Sequence, residues 1–490
     1  MGCDLGHETF IKPQALIIAC ALGALTTIAE RANLDVSFHP GLEQLMGMSQ
    51  RIAAMVAIVT LSGAMASCSG LTPGNQGPAG QAPAASGPAV TLRIDVYGSP
   101  GYRQAGLFAG YERLHPGVRI AEDSTAQEAG YWQALQRHLA SGHGLGDLVA
   151  IPMAEMSDVL HRYRHSLVPL TTLGGVAGGV NTFEDQWLPW VWQPASRSGQ
   201  AYAIGAETGP LGLCYRPRLL QEAGLPSSPA QLARDWSTWP GYLAFGRKFR
   251  QRIPRGPAFM DSVTSVYNAM VSQAGTQYYG PAAQLALPGN RAVKHAWDSA
   301  VTAARAGLSA RLTPLSRAWD AGVTRLSFAT TVCPAWLLSS IARLSGADGT
   351  GTWAVTGVPG GTGNWGGFYL AIPRASTHQQ AAYQLAAYLT GQQAGPALAQ
   401  AGAFPASSPA INAVTALTSS YFSGSPVGRI FSLADDRMPA APTGPASAAI
   451  GAALDGALSQ TEAGRLPPSH AWVVAIRRAI AASRAQPAPG

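Results

Sequence analysis

The stretch GGTGNWGG, residues 360–367, sets Trp365 among five glycines. Glycine lets the backbone approach a bound molecule closely and adopt conformations that other residues avoid. An aromatic ring can cover the flat apolar face of a ligand while neighbouring polar groups bind its hydroxyls. One interpretation is a ligand loop that presents Trp365 and Gly366; the alternative is a structural turn whose tryptophan packs on its own domain. We favour the ligand loop.

Polar residues also stand where strands are expected to end. Tyr97 and Ser99 close the first predicted strand, and Glu155 follows the third. Ligands of open α/β sheets lie outside the carboxyl ends of the strands, so these residues are candidates for ligand contact and otherwise bystanders. Asp261, in FMDSVTS, can accept a ligand hydroxyl hydrogen or cap the N-terminus of a helix.

Motifs of known catalytic and metal centres do not occur in the sequence, which contains no GxSxG, HExxH, P-loop or CxxC pattern. We therefore expect no catalytic residues, no metal site and no cofactor. The formal net charge is +7, but the basic residues are scattered. A nucleic-acid-binding protein presents a basic stripe, so a nucleic-acid partner is not expected.

The elements that would position these residues alternate between strand and helix. TLRIDVYG (91–98) predicts a strand, and GYRQAGLFAGYERLHPG predicts a helix with Leu107, Tyr111 and Leu114 on its buried face. VRIAE predicts a second strand. YWQALQRHLASGHGLGDLVAIP predicts a helix, a glycine break and a third strand at 147–151. This order is typical of a parallel or mixed sheet covered by helices, and 490 residues suffice for two or more such lobes.

The start of the chain indicates export. From Met48, Arg51 precedes an apolar segment at 52–65, and small residues precede Cys68. The ending MASC resembles the bacterial lipobox, which implies a lipid on Cys68 and a membrane-anchored lipoprotein outside the cell. Residues 1–67 are then a doubtful leader plus this signal segment: translation starts at Met46 or Met48, or the apolar run at 15–29 is a genuine anchor. Residues 68–90 are rich in Gly, Pro, Ala and Ser and predict a flexible tether.

Two cysteines, Cys214 and Cys333, lie in the part that should fold. In an exported protein they can form a disulfide, or each can be a small buried apolar residue. The sequence leaves both possibilities open.

From about residue 91 to 480, the chain resembles family 1 extracellular solute-binding proteins, the receptor subunits of bacterial carbohydrate ABC importers. The matching pieces follow the family's order: FAGYERLHPGVRI, YWQALQRHLASGHGLGDLVAI, SGQAYAIGAETGPLGLCYRPRLLQEAGLPSSPAQ, FATTVCPAWLLSSIA, GTWAVTGVPGGTGNWGGFYLAIPRAS and GAFPASSPA.

The resemblance implies an α/β, two-lobed periplasmic-binding-protein-like fold, each lobe a mixed sheet flanked by helices. Crossings are expected near 205–209, 346–353 and 404–408. Lobe 1 would then comprise 91–205 and 346–405, and lobe 2 would comprise 206–345 and 406–490. No chemistry is implied, only binding of a ligand between the lobes.

The resemblance also assigns ligand contacts. Trp336, at the end of a lobe 2 strand, would stack on the ligand, with Trp365 facing it from lobe 1; the alternative for Trp336 is packing in the core. Glu207 and Thr208 lie at the first crossing, where the acidic residue would accept hydroxyl hydrogens of the ligand; the alternative is a solvated charge in a hinge loop. The tryptophans of WLPWVWQP precede that crossing, so we expect them to pack inside a lobe rather than to form a platform.

The function implied by the resemblance is a lipid-anchored, extracellular receptor that closes on a sugar or oligosaccharide and delivers it to the permease subunits of an importer, as a monomer. Two alternatives remain. A secreted glycosidase also has an aromatic cleft, but it needs two facing carboxylates. A binding protein for polyamine, peptide or metal ion needs clustered carboxylates or metal ligands.

Overall fold

The computed structural model describes residues 90–173, 184–281 and 283–485. The leader, Cys68 and the tether up to residue 89 lie outside these ranges. Among the helices of the described ranges, none has the length and apolarity needed to span a membrane.

Within the described ranges, nine strands form a mixed sheet in the order β2-β1-β3-β10-β6-β8-β7, with β9 and β11 also paired to β6. The parallel pairing of β1 with β2 and β3 confirms the predicted β-α-β-α-β start of the chain. A separate two-stranded ribbon is formed by β4 and β5. The strands are β1 (Val90–Tyr97), β2 (Val118–Thr125), β3 (Leu148–Pro152), β4 (Ser196–Arg197), β5 (Gln200–Ala201), β6 (Ala203–Tyr215), β7 (Ala258–Met260), β8 (Phe328–Pro334), β9 (Ala354–Gly357), β10 (Asn364–Ala371) and β11 (Phe404–Pro405).

Helices cover the sheet, and their buried faces and caps follow from the sequence. The helix 291–305 buries one apolar stripe that includes Val293 and Trp297, and the Asn290 side chain caps its N-terminus. The helices are α1 (Leu107–Leu114), α2 (Glu128–Ser141), α3 (Met156–Arg162), α4 (Pro189–Trp192), α5 (Pro217–Glu222), α6 (Pro229–Asp235), α7 (Trp239–Arg252), α8 (Val263–Ser272), α9 (Arg291–Arg305), α10 (Arg317–Thr324), α11 (Leu337–Ser345), α12 (Gln379–Thr390), α13 (Gly395–Gln400), α14 (Ser408–Val414), α15 (Val427–Asp436), α16 (Ser447–Glu462) and α17 (Pro468–Arg484).

The core is divided, and the division defines two lobes. Lobe 1 is the part packed around one cluster of buried residues drawn from 92–206 and 368–406. Lobe 2 is packed around two further clusters drawn mainly from 211–358 and 411–479. Strand β6 belongs to both lobes, because its first half pairs with β10 and its second half with β8 and β9. Residues 207–210 therefore cross from one core to the other inside a continuous strand.

The structure differs from the sequence-based expectations in two features, the position of the second crossing and the buried face of α1. The chain does not return to lobe 1 at 346–353, since Trp353 is buried with Cys333 and β9 pairs with the lobe 2 half of β6. The return comes at the first residues of β10, within the glycine-rich stretch 360–367. Leu114 is 68% exposed, and Phe108 joins Leu107 and Tyr111 in the core in its place. The buried face of α1 is thus rotated relative to the predicted one.

Candidate functional site

A cavity of about 440 Å³ is lined by residues of both lobes and by the first residues of β10. Lobe 1 contributes the short 3-10 turn after β3, at Met153 and Ala154, and Trp190 of α4. Lobe 2 contributes one face each of α8 and α16. The start of β10 contributes Trp365 and Gly366, two of the predicted ligand contacts. The cavity thus lies where a ligand would contact both lobes at once.

Trp365 is half-buried at the start of β10 and packs against the lobe 2 core. Trp336 donates a hydrogen bond from its Nε1 to the Trp365 carbonyl oxygen at 2.7 Å, and the ring centroids are 6.1 Å apart in an edge-to-face arrangement. The expectation that the two rings face a ligand from opposite lobes therefore differs from the structure. They contact each other, because Trp365 lies at the crossing and not inside lobe 1.

The loop around Trp365 depends on its glycines and on Asn364. Gly366 and Gly367 have φ values of 86° and 94°, a region that residues with a Cβ rarely adopt. Asn364 accepts a hydrogen bond from the Gly209 backbone at 2.7 Å and donates one to the Gly366 carbonyl at 2.9 Å. The loop is thereby fixed to the crossing strand β6.

The lobe 2 wall of the cavity carries a polar group that the sequence did not single out. Asn268 of α8 donates a hydrogen bond to Oδ2 of Asp455 of α16 at 2.9 Å. The other oxygen, Oδ1, is buried and has no hydrogen-bond partner. Burial raises the pKa of Asp455 to about 6. Beside this pair lie Tyr278 and Gln277, so the wall combines an aromatic ring with hydrogen-bonding groups.

The lobe 1 wall is mostly apolar and includes one residue of the tryptophan cluster. Trp190 donates from Nε1 to the Asp435 backbone carbonyl at 3.1 Å, which leaves its ring against the cavity. Trp187 is buried, with its Nε1 donating to the Gly205 carbonyl at 2.9 Å, and it stacks on Trp192. Trp187 therefore packs inside lobe 1 as expected, whereas Trp190 both packs there and lines the cavity.

Comparison with known proteins identifies the family to which a chain with this fold and cavity belongs. Residues 106–420 match the family model described as bacterial extracellular solute-binding protein. The chain belongs to this family. A solved structure described as an extracellular solute-binding protein of family 1 shares 34% identity with the chain, covers 80% of it and 100% of its own length, and superposes with a TM-score of 0.73.

Two further proteins resemble this solute-binding protein. A lactose-binding protein of Rhizobium radiobacter is 26% identical over 232 residues, which are 46% of this chain and 51% of the relative. The chain thus spans about half the length of the curated relative that it matches. The galacto-N-biose/lacto-N-biose I-binding protein of Bifidobacterium longum, at 18% identity, covers 81% of this chain and 98% of its own, with a TM-score of 0.66. This second likeness concerns the fold. The predicted family, its two-lobed fold and its assignment to binding proteins rather than enzymes are confirmed.

Four predicted contacts of the solute-binding protein lie near the carboxyl ends of β1 and β3 or on β6 and are not among the residues that line this cavity. The Tyr97 hydroxyl donates to the Gly367 carbonyl at 3.3 Å, and Ser99 accepts from Gln104. Burial raises the pKa of Glu207 to about 8. Burial, then the charges of Asp158 and Glu128, raise the pKa of Glu155 to about 7.

Two other predicted contacts are engaged inside the solute-binding protein. The fully buried Thr208 donates from its hydroxyl to Oδ2 of Asp435 at 2.9 Å. Asp261 is 1% exposed, and its Oδ2 accepts hydrogen bonds from Trp319 at 3.0 Å and Thr331 at 2.8 Å. Nor does Asp261 cap α8, because Ser262 does. We therefore do not include Thr208 and Asp261 in the proposed ligand site.

The two cysteines form a disulfide that joins neighbouring antiparallel strands of lobe 2. Cys214 lies on β6 and Cys333 on β8, with their Cα atoms 5.7 Å apart. Both are buried beside Phe328 and Trp353. The structure thus decides between the two possibilities that the sequence left open, and the bond fixes the lobe 2 half of the crossing strand.

Proposed function

We propose that this protein binds a sugar or short oligosaccharide between its lobes, closes on it and delivers it to an ABC importer. The observation that carries the proposal is the cavity lined from both lobes, in which aromatic rings stand beside neutral hydrogen-bonding groups. Sugars present flat C–H faces and a rim of hydroxyls, so they need both kinds of contact. The volume of about 440 Å³ suits a small-molecule ligand.

Closure is supported by the way in which the lobes are joined. One strand, β6, crosses between the cores, and it is paired with β10 on one side of the crossing and with β8 on the other. A ligand that contacts both lobes stabilises the closed arrangement more than the open one, and only this difference can drive closure. The hinge motion creates a surface, distinct from that of the open form, that an importer can recognise.

Sugar is the cargo that the family relatives support. The curated relative is named for lactose and the Bifidobacterium structure for lacto-N-biose, which are both disaccharides. Among the charged residues of the described chain, one, Asp455, lines the cavity. A polyamine site would need several carboxylates, and glycoside hydrolysis would need a facing pair. The cavity therefore favours a receptor for a sugar over both alternatives.

We further propose that Cys68 is lipid-modified and anchors the receptor as a monomer at the outer face of the cytoplasmic membrane, with the residues up to 90 as its tether. The basis is the signal-like segment and lipobox-like MASC, which lie outside the described residues. A tethered receptor stays close to its permease while its lobes remain free to open and close.

A thermal-shift screen of the purified protein with mono-, di- and oligosaccharides tests the sugar proposal, followed by calorimetric titration with each sugar that raises the melting temperature. Polyamines and peptides serve as matched non-sugar ligands, and chromogenic glycosides test for turnover. Saturable binding of a sugar without turnover supports the proposal. Binding of a non-sugar ligand alone, or turnover of a glycoside, contradicts it.

A further inference from the structure

We infer that Asp455 is a specificity-determining residue of the cavity: its free oxygen accepts a hydrogen from a ligand hydroxyl or ammonium group, and the cavity rejects sugars that carry an acid group there. The inference rests on the proposed sugar-binding function and narrows its substrate class to neutral and amino sugars.

The first argument is the unequal state of the two carboxylate oxygens. Oδ2 accepts the hydrogen bond from Asn268 at 2.9 Å, which fixes the orientation of the carboxyl group. Oδ1 is buried and has no partner. Buried polar atoms of folded proteins are nearly always paired, and an orphaned one needs an explanation. A donor on the ligand, placed in the cavity that Asp455 lines, completes the pairing.

The second argument is the shape of α16 where it faces the cavity. The lining residues of this helix fall at helical spacing, and before Asp455 they are all small: Ser447, Ala448, Gly451 and Ala452. Side chains of this size leave part of the Asp455 side chain exposed to the cavity. The helix thus presents a shallow surface that ends in one hydrogen-bond acceptor.

The third argument is charge. With its pKa raised to about 6, Asp455 is mostly ionised at neutral pH, and no Lys, Arg or His of the described chain lines the cavity. In a partly buried site, charges interact far more strongly than in water, so a uronate or a sugar phosphate would be repelled with no cation to compensate. A hydroxyl is accommodated by a charge-assisted hydrogen bond, and an ammonium group also neutralises the carboxylate.

Tyr278 adds a hydrogen-bond donor to the acceptor that Asp455 provides. It lines the cavity, and its hydroxyl oxygen lies 3.5 Å from the position that a Cβ on Gly451 of α16 would take. Burial and then the charge of Asp455 raise the pKa of Tyr278, so its hydroxyl keeps its proton and can donate. A sugar hydroxyl can accept from Tyr278 while it or its neighbour donates to Asp455. An ionised acid group can accept from Tyr278 but has no hydrogen to donate to Asp455.

The test compares calorimetric affinities of the full-length protein for matched sugars: galactose, galactosamine and galacturonate, then each sugar bound in the screen with its uronate analogue. We expect the neutral or amino form to bind at least about tenfold more tightly than the uronate. Asp455→Asn preserves the shape of the side chain, and we expect it to weaken sugar binding about tenfold or more and to narrow the gap to the uronate. Asp298→Asn, an exposed carboxylate on α9, should change neither quantity.

The possible results distinguish failure of the inference from failure of the proposed function. A wild-type preference for the uronate, or unchanged sugar affinity in an Asp455→Asn protein whose unliganded melting temperature is normal, overturns the inference and leaves the proposed function standing. If Asp455→Asn does not fold, the wild-type comparison of neutral sugar with uronate decides alone. If no sugar binds the wild type, the proposed function fails and the inference fails with it.

Discussion

The indole Nε1 of Trp336 donates a hydrogen bond to the backbone carbonyl of Trp365 at 2.7 Å. This bond joins the turn between β8 and α11 in lobe 2 to the first residues of β10, where the chain enters lobe 1. The indole of Trp336 thereby positions the backbone of Trp365. Trp365, which lines the cavity, is then the candidate for direct ligand contact, and Trp336 is a positioning residue.

Substituting the two tryptophans one at a time should weaken sugar binding to different extents. Trp365→Ala removes a ring from the cavity wall, so we expect sugar affinity to fall by roughly 10- to 100-fold, which corresponds to about 1.5–3 kcal/mol of apolar contact. Trp336→Phe keeps an aromatic ring but loses the hydrogen bond, worth about 0.5–1.5 kcal/mol, so we expect a loss of roughly 2- to 10-fold. Calorimetric titration with the identified sugar measures both.

The unliganded melting temperature is the control for both variants. Trp365 is half-buried, and Trp336 is not among the fully buried side chains of the described residues, so the fold should survive either change. Unchanged affinity in Trp365→Ala would remove this ring from the ligand site. A collapse of the fold would mean that its packing on the lobe 2 core matters more than ligand contact.

The disulfide should contribute measurably to stability. Cys214 and Cys333 are 119 residues apart, and a cross-link that closes so long a loop restricts the unfolded chain strongly. We expect the Cys214→Ala/Cys333→Ala double variant to lose about 2–5 kcal/mol in the free energy of unfolding, measured with urea. A reductant should destabilise the wild type and leave the double variant unchanged. Alkylation of both thiols in the native, non-reduced protein would contradict the bond.

How far the sequence predicts this structure depends on the range of the contacts involved. The first strands and α1 follow from local alternation and helical spacing, and they were predicted within a few residues. The ordered motifs indicated the family. The second crossing was placed too early because TWAVTGV is compatible with either lobe. Pairing of β9 with β6 across some 140 residues, and the guanidinium of Arg216 over the Trp353 ring at 3.9 Å, hold it in lobe 2.

The candidate site was predicted only in part for the same reason. Trp365 and Gly366, which line the cavity, lie in a glycine-rich stretch that can be recognised from the sequence alone. Asp455 is a lone carboxylate in the otherwise apolar and small run SAAIGAALDGAL, which is the one signal that could have drawn attention to it. Its partner Asn268 is 187 residues away, so the orphaned oxygen exists only in the folded chain. Asp261 was predicted as a ligand contact, but its carboxylate accepts hydrogen bonds from Trp319 and Thr331 inside the fold. These partners are distant in the sequence and could not be foreseen from it.

Stability should fall as the pH rises. Burial raises the pKa of Asp435 to about 8, far above the value of about 3.9 expected in the unfolded chain. Between these two values the folded state holds a proton that the unfolded state has released. The contribution of Asp435 is therefore fully present below pH ~4 and lost as the pH rises through about 8. Glu207, with its pKa also raised to about 8, acts in the same direction.

Melting temperatures of the unliganded protein between pH 5 and 9, at constant ionic strength, measure this dependence. Asp435→Asn keeps an oxygen that can accept the Thr208 hydrogen bond but does not titrate, so the decline with pH should become shallower. Asp348→Asn, an exposed carboxylate, should follow the wild type. A wild-type curve that rises through this range, or an Asp435→Asn curve parallel to it, would show that Asp435 is ionised in the folded protein at neutral pH.

Lipid attachment can be tested in a bacterial host that processes lipoproteins. The proposed role of Cys68 predicts that Cys68→Ala protein is either released to the medium or retained with its signal uncleaved. Fractionation, mass measurement of the N-terminal peptide and labelling with a fatty-acid analogue distinguish these forms. Cys20→Ala, in the leader, is the matched control and should change neither retention nor labelling. Membrane retention of a processed, unlabelled Cys68→Ala chain would contradict the proposal.

The crossing strand should tolerate no side chain where it meets the Trp365 loop. A Cβ on Gly209 would overlap the carbonyl oxygen of Trp365 and lie 2.9 Å from Nε1 of Trp336, the two groups joined by the hydrogen bond. Because one of these groups is backbone, the Trp365 loop must shift to make room. We expect Gly209→Ala to cost about 1–3 kcal/mol in the free energy of unfolding and to weaken sugar binding, since the ring moves with its backbone.

Gly357, at the end of β9, is the matched control for Gly209. A Cβ there would meet no heavy atom within 4 Å, and its backbone does not have the positive φ that favours glycine. Gly357→Ala should therefore bind sugar like the wild type and unfold at a similar urea concentration. If Gly209→Ala matches Gly357→Ala in both measurements, the contact between the crossing strand and the Trp365 loop is not needed for binding, and the ligand site does not depend on this junction.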